Sequence, residues 1–167
     1  MRGLILSVLL GAIVAVATPA LAGDPPKTEA ALVDAAIDAI SRSDVDAYLA
    51  LFPTLIEMEA HCPKLMTDPR MRDFVVAMPL EAGPNIRAKM KRCHELIDFT
   101  KAERVRVEGG GGKKSEPETG CKDLYEMKDI LVFLKVGEKT YRIMIDDPTL
   151  IGENRYGVMD DPRCSEE

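Results

Sequence analysis

The sequence predicts an α+β domain: N-terminal helices packed on a curved antiparallel β-meander and stapled by disulfides. Three observations carry that prediction. Apolar residues recur at helical spacing from residue 28 to residue 100, and from Val105 onward they alternate with a period of two. The chain also holds four cysteines, an even number, behind an N-terminal stretch that reads as an export signal. Helices first and strands second is the order of an α+β chain, not of alternating βαβ units.

The first helix starts at Thr28, a candidate N-cap, with Leu32, Val33, Ala36, Ile37 and Ile40 on one side and Asp34 and Asp38 on the other. After a break at Ser41-Arg42-Ser43, Ser43 or Asp44 caps a second segment, Val45 to Phe52. Pro53 opens a third, Thr54 to His61, and Pro63 stops it. Asp68 or Pro69 begins a short helix from Met71 to Met78, closed by Pro79. A stronger helix follows Gly83-Pro84. Ile86, Met90, Cys93 and Ile97 stand at i, i+4, i+7 and i+11 there, so Cys93 faces the core.

Val105 and Val107 alternate with Arg104, Arg106 and Glu108 as a half-buried strand. Residues 109–120, GGGGKKSEPETG, read as a mobile solvated loop, because glycine, proline and charge over that length do not pack. Their spacing matches no phosphate-binding glycine motif. The apolar run Ile130 to Val136, a turn at Gly137-Glu138-Lys139, and Tyr141, Ile143 and Ile145 make a hairpin, which Asp147-Pro148 ends. A last strand lies around Tyr156 to Met159, before Asp160-Asp161-Pro162.

Arg2, the apolar or small stretch Leu4 to Ala17, and Ala20-Leu21-Ala22 have the layout of a secretory signal with an A-x-A cleavage site. That stretch is shorter than the roughly 20 residues a membrane span needs. Residues 1–22 are thus expected to be a signal peptide and 23–167 a single domain, with helices over 28–100 and strands over 103–160. Removing 22 of the 167 residues leaves 145, and Arg2 takes the net charge from −6 to −7. Such a chain is not a cytosolic enzyme, a membrane-spanning protein or a disordered polymer. Acidic, without Trp and with four Tyr and four Phe, it also lacks the basic, aromatic-lined face that binds nucleic acid.

Residues 31–52, a helix followed by SRSDVDAYLALF, resemble the opening of nuclear transport factor 2-like domains, the SnoaL-like, cone-shaped α+β group. The hairpin over 131–146 and the strand near Tyr156 stand where that fold would place them. The helical material between Pro53 and Pro79 departs from it. The resemblance implies a pocket between helices and sheet, worked in the family's enzymes by an Asp or His base and a Tyr donor. Asp129, Tyr125, Tyr141 and His94 are the candidates here, none of them aligned to a family motif. Read on their own terms, Asp129 flanks a strand in solvent and Tyr141 belongs to the core.

Export places Cys62, Cys93, Cys121 and Cys164 in an oxidising compartment, which favours two disulfides. The preferred pairing is Cys62–Cys93 between helices and Cys121–Cys164 between sheet and C-terminal tail. The histidines, His61 beside Cys62 and His94 beside Cys93, suggest a zinc or copper site. Neighbouring helical residues diverge by about 100°, however, so each pair would struggle to face one ion. No C-x-x-C, nucleophile elbow, zinc-protease or dinucleotide motif occurs. Asp146-Asp147 and Asp160-Asp161 lack the alternation of a calcium loop and read as turns. Met58, Met66, Met71 and Met78 read as gap-filling core residues.

The expectation is therefore an exported, non-catalytic binding or interaction module with no cofactor and no metal. Its partner would be a small apolar ligand or an envelope protein. The alternative is an isomerase, dehydratase or hydrolase of the cone-shaped family. A deep pocket with a buried acid or His beside a Tyr would favour the enzyme, and a filled interior the interaction role.

Overall fold

The computed structural model describes residues 24–114 and 120–167; the expected signal peptide and residues 115–119 of the glycine-rich loop lie outside the described residues. Helix α1 (Glu29–Ser41) begins where Thr28 Oγ1 accepts the Ala31 amide at 3.1 Å. Asp44 caps α2 (Val45–Leu49), accepting the Ala47 amide at 2.9 Å. Thr54 and Glu57 close a reciprocal capping box on α3 (Leu55–His61). A 3₁₀ turn (Leu65–Thr67) leads to α4 (Pro69–Leu96), which Asp68 caps.

Helix α4 corrects one expectation. The two helices predicted on either side of Pro79–Pro84 are one continuous helix of 28 residues with both prolines inside it. Each proline removes a backbone hydrogen bond, at about 3 kcal/mol in a helix interior. The apolar stripe explains why the helix survives. Val75, Met78, Ile86, Met90 and Cys93 are all buried, and their spacing runs across both prolines without a change of phase.

Among the described residues eight strands follow: β1 (Glu103–Gly109), β2 (Gly112–Lys114), β3 (Leu124–Met127), β4 (Ile130–Val136), β5 (Lys139–Ile145), β6 (Pro148–Ile151), β7 (Arg155–Val158) and β8 (Arg163–Glu166). They form two antiparallel sheets, ordered β1-β4-β5-β8 and β2-β3-β6-β7. The orders correspond. Strand β1 continues into β2, β4 is continuous with β3, β5 with β6, and β8 with β7, each through a corner of two to four residues. The architecture is a single four-stranded meander bent across its middle.

The corners account for several departures from expectation. Gly112–Lys114, expected in the solvated loop, pair with β3. Asp147-Pro148 does not end the strand path; Asp147 takes a φ of 45°, tolerated by Asp, and Pro148 starts β6. The C-terminal β8 pairs with β5 beyond the last predicted strand. Its sequence, RCSE, has no apolar alternation to announce it.

Strand β1 was expected half-buried, yet all seven of its residues are exposed. It is an edge strand, and a bulge between Arg104 and Arg106 leaves Val105 without a cross-strand partner. Arg106 then lies over the Phe133 ring, 3.7 Å from its centroid, and covers it on the outer face.

The concave face is filled. Val132 and Ile143 on the sheet and Leu32, Ala36, Ile40 and Ile86 on the helices have no exposed surface. Residues with no exposed surface touch no void large enough for water.

Both disulfides form, but not as first paired. Cys62 bonds Cys121 and Cys93 bonds Cys164, so each bridge ties a helix to the β half. The physical reason lies in the register. Cys164 pairs with Ile143, whose side chain points into the core, and this sets its sulfur opposite the buried Cys93 on α4. A non-reducing peptide map will show 62–121 and 93–164 linkages. Replacing both Cys93 and Cys164 by Ala will lower unfolding stability by about 4 kcal/mol in urea titrations, as expected for a closed loop of 71 residues.

Arg155 on β7 holds the α2–α3 connection. Its Nε donates to Glu57 Oε1 at 2.8 Å and its Nη2 to the carbonyls of Leu51 and Phe52 at 3.3 and 3.1 Å. Beside it the Val158 amide donates to Leu51 O, and a Cβ on Gly157 would stand 2.6 Å from that oxygen. Glycine is required by the close approach. An Arg155→Ala variant takes away the counter-charge of Glu57 and the donor to the Phe52 carbonyl, and thermal unfolding will show a loss of about 3 kcal/mol.

Candidate functional site

A cluster of acidic side chains lies along the bend. Asp129 comes from the β3–β4 corner, Asp146 and Asp147 from the β5–β6 corner, and Asp160 and Asp161 from the β7–β8 corner. The hairpin register sets the first two together, because Ile130 pairs with Ile145 and their outer neighbours are Asp129 and Asp146. Carboxylate oxygens of Asp129, Asp146 and Asp147 all lie within 4.8 Å of one another.

Among the described residues two cations answer these five carboxylates. Arg163 Nη2 lies 2.5 Å from Asp146 and 3.7 Å from Asp160, and Lys89 of α4 lies 3.8 Å from Asp161. The electrostatics record the imbalance. Burial, reinforced by Asp129 and Asp160 and opposed by Arg163, raises the Asp146 carboxyl above its ordinary value. Burial and the adjacent Asp160 raise Asp161 against the pull of Lys89. Beneath them the hydroxyl of Tyr48, which has no exposed surface, donates to the Asp160 carbonyl at 3.4 Å. Burial first, then the Asp161, Asp160 and Asp146 charges, push that phenol far above its usual range.

Three clustered carboxylates are donors a hard cation accepts. In this chain, however, the buried member, Asp146, is already satisfied by the Arg163 guanidinium. The neighbouring carboxylates, Asp129 beside Asp146 and Asp160 beside Asp161, make the cluster a local concentration of negative charge along the corners.

The residues that the cone-shaped resemblance nominated occupy separate places. Tyr141 is buried on the inner face of β5, near the hairpin turn, and Asp129 lies at the opposite end of that hairpin. Tyr125 sits on β3 opposite Leu150. His94 Nε2 is 2.9 Å from the carbonyl of Ile40, with its ring 4.9 Å from that of Phe99. That contact lines a shallow surface depression of about 410 Å³, formed with Ser41 and the 95–100 segment. All four cysteine sulfurs are consumed in disulfides, so the His–Cys pairs offer no thiolate to a metal. Met58 and Met66 are buried with Cys62, Val75 and Cys121 in a second small core.

No family model, no curated protein and no solved structure matches this chain.

The convergence of Asp129 on Asp146 escaped the linear reading, although the hairpin turn at Gly137 already implied it. The raised carboxyls bind protons more tightly in the folded than in the unfolded chain. They therefore cost stability as pH rises from the ordinary carboxylate value of 3.8 through the raised one. Asp161→Asn removes part of that repulsion. Thermal melts will show it about 2 °C more stable at pH 7, with the gain vanishing near pH 4.

Proposed function

We propose that this protein is an exported, non-catalytic binding or interaction module that meets its partner with its outer surface. In this reading residues 1–22 are a signal cleaved after Ala22, and the mature domain works in the periplasm or outside the cell. Two disulfides are the chemistry of an oxidising compartment. Among the described residues no helix is long and apolar enough to cross a membrane.

The filled interior carries the proposal. Val132, Leu134, Tyr141 and Ile143 form the sheet face on which a cone-shaped enzyme would hold its substrate, and here α1 and α4 side chains close over them. A binding site for a small molecule needs a concave cavity with a few polar groups placed in it. The layout likeness to nuclear transport factor 2-like domains is part of the reading at the level of fold, with the pocket replaced by core.

Titration of the native, oxidised protein with an apolar fluorescent probe tests this. The expected result is no saturable binding, with Gly23 found first by N-terminal sequencing of the exported protein. One-to-one probe binding that a small apolar compound competes away would establish an interior ligand site and overturn the proposal.

A further inference from the structure

Helix α4 has a second stripe that the fold does not use. Leu80 is 80% exposed and Val76 55%, and Ile56 of neighbouring α3 is 78% exposed. The Arg72–Glu59 ion pair at 2.6 Å sets α3 beside the first half of α4. Seven residues before Leu80 stands Asp73, and seven after it stands Arg87. Seven residues are nearly two whole turns, so these three side chains share one line along the helix, spaced about 10 Å apart. Both charged residues are exposed, and neither has an ion pair within the chain among the described residues.

That arrangement is self-complementary under a two-fold rotation. If α4 of a second copy crosses antiparallel with Leu80 against Leu80, Asp73 of each copy faces Arg87 of the other. Val76 then faces Pro84 on either side of the central Leu80 pair. A parallel crossing would set Asp73 against Asp73 and Arg87 against Arg87. The charge pattern therefore selects one orientation as well as one face.

We infer that this protein self-associates as a two-fold dimer through the outer face of α4, centred on Leu80 and fixed by two reciprocal Asp73–Arg87 ion pairs. The interface is isologous, each copy giving the same patch. It is smaller than a standard permanent interface and belongs to the weak, reversible class. The inference does not depend on the exported-module reading.

Sedimentation velocity of the purified, oxidised protein across a concentration series tests it. The expected result is a shift from monomer toward dimer as concentration rises, reduced by high salt. Leu80→Ser and the single reversals Asp73→Arg and Arg87→Asp should each weaken association about tenfold or more, and the double reversal D73R/R87D should recover it. Circular dichroism of each variant separates lost association from lost folding, since all three positions are exposed. A protein monomeric at every concentration overturns the inference and leaves the stripe to a different partner. So does a dimer indifferent to the reversals, or a double reversal that fails to recover.

Discussion

The structure depends on the bend. Four antiparallel strands turn at one level, and the concave surface they create is apolar, so it must be covered. The corners bring about the turn by backbone means: Gly109 to Gly111 all take positive φ, and a Cβ on Gly109 would stand 1.9 Å from the Asp129 carbonyl. Once the sheet is curved, α1 and the second half of α4 lie in its hollow, and Leu32, Ile86, Val132 and Ile143 lose all contact with water. The same geometry drives polar residues to the corners, because the strand faces inside the bend are taken. Five aspartates along the corner line follow from that exclusion. They are tolerated because Arg163 and Lys89 reach them, and the raised Asp146 and Asp161 carboxyls record that the compensation is partial.

Covering a curved sheet with helices leaves the question of what holds the two layers in register. Apolar contact is non-directional, so packing alone leaves sliding cheap. Directional ties prevent it, the Arg155 cluster and the two disulfides among them. Arg155 reaches from β7 into the carbonyls between α2 and α3, and the Glu57 carboxylate it binds also caps α3. Burial raises Glu57, but the hydrogen bonds from Thr54 and Arg155 outweigh it and lower the carboxyl overall, so this part of the structure is at full strength at neutral pH and weakens toward acid. The two disulfides do the same covalently. Cys93–Cys164 ties the middle of the core to the terminal strand, and Cys62–Cys121 ties the end of α3 to the segment entering β3. A pairing of helix with helix and strand with tail would have left the layers without a covalent tie.

Much of this was legible in the residues, and the rest was hidden for identifiable reasons. The α+β order, the caps at Thr28 and Asp44 and the Ile130–Ile145 hairpin were readable because each is a local pattern with a local cause. The helix stop assigned to Pro79 and the new start assigned after Pro84 failed because a proline's cost is local while the benefit of burying Val75, Met78, Ile86 and Met90 on one stripe is tertiary. Val105 and Val107 alternate like core residues, yet edge position and bulge are set by partners far away in the chain. Disulfide pairing is a question of which surfaces meet, so a correct count of cysteines did not supply it. The acidic corner needed the register of the hairpin combined with the bend, and the bend has no signature in composition.

Helix α4 shows how far one segment's sequence can be divided between duties. Its inner stripe, Val75 through Cys93, accounts for its existence as a helix despite two prolines. Pro84 removes the amide that would have met the Leu80 carbonyl, so the outer side of the helix at that point is weakened as well as apolar. Leu80 is largely exposed, and among the described residues Asp73 and Arg87 form no ion pair. A monomer would gain solubility from polar residues at Val76 and Leu80 at no cost to its core. Their apolar character, with opposite charges placed evenly about them, is explained by contact with a matching surface, and the surface that matches both spacing and sign is another α4.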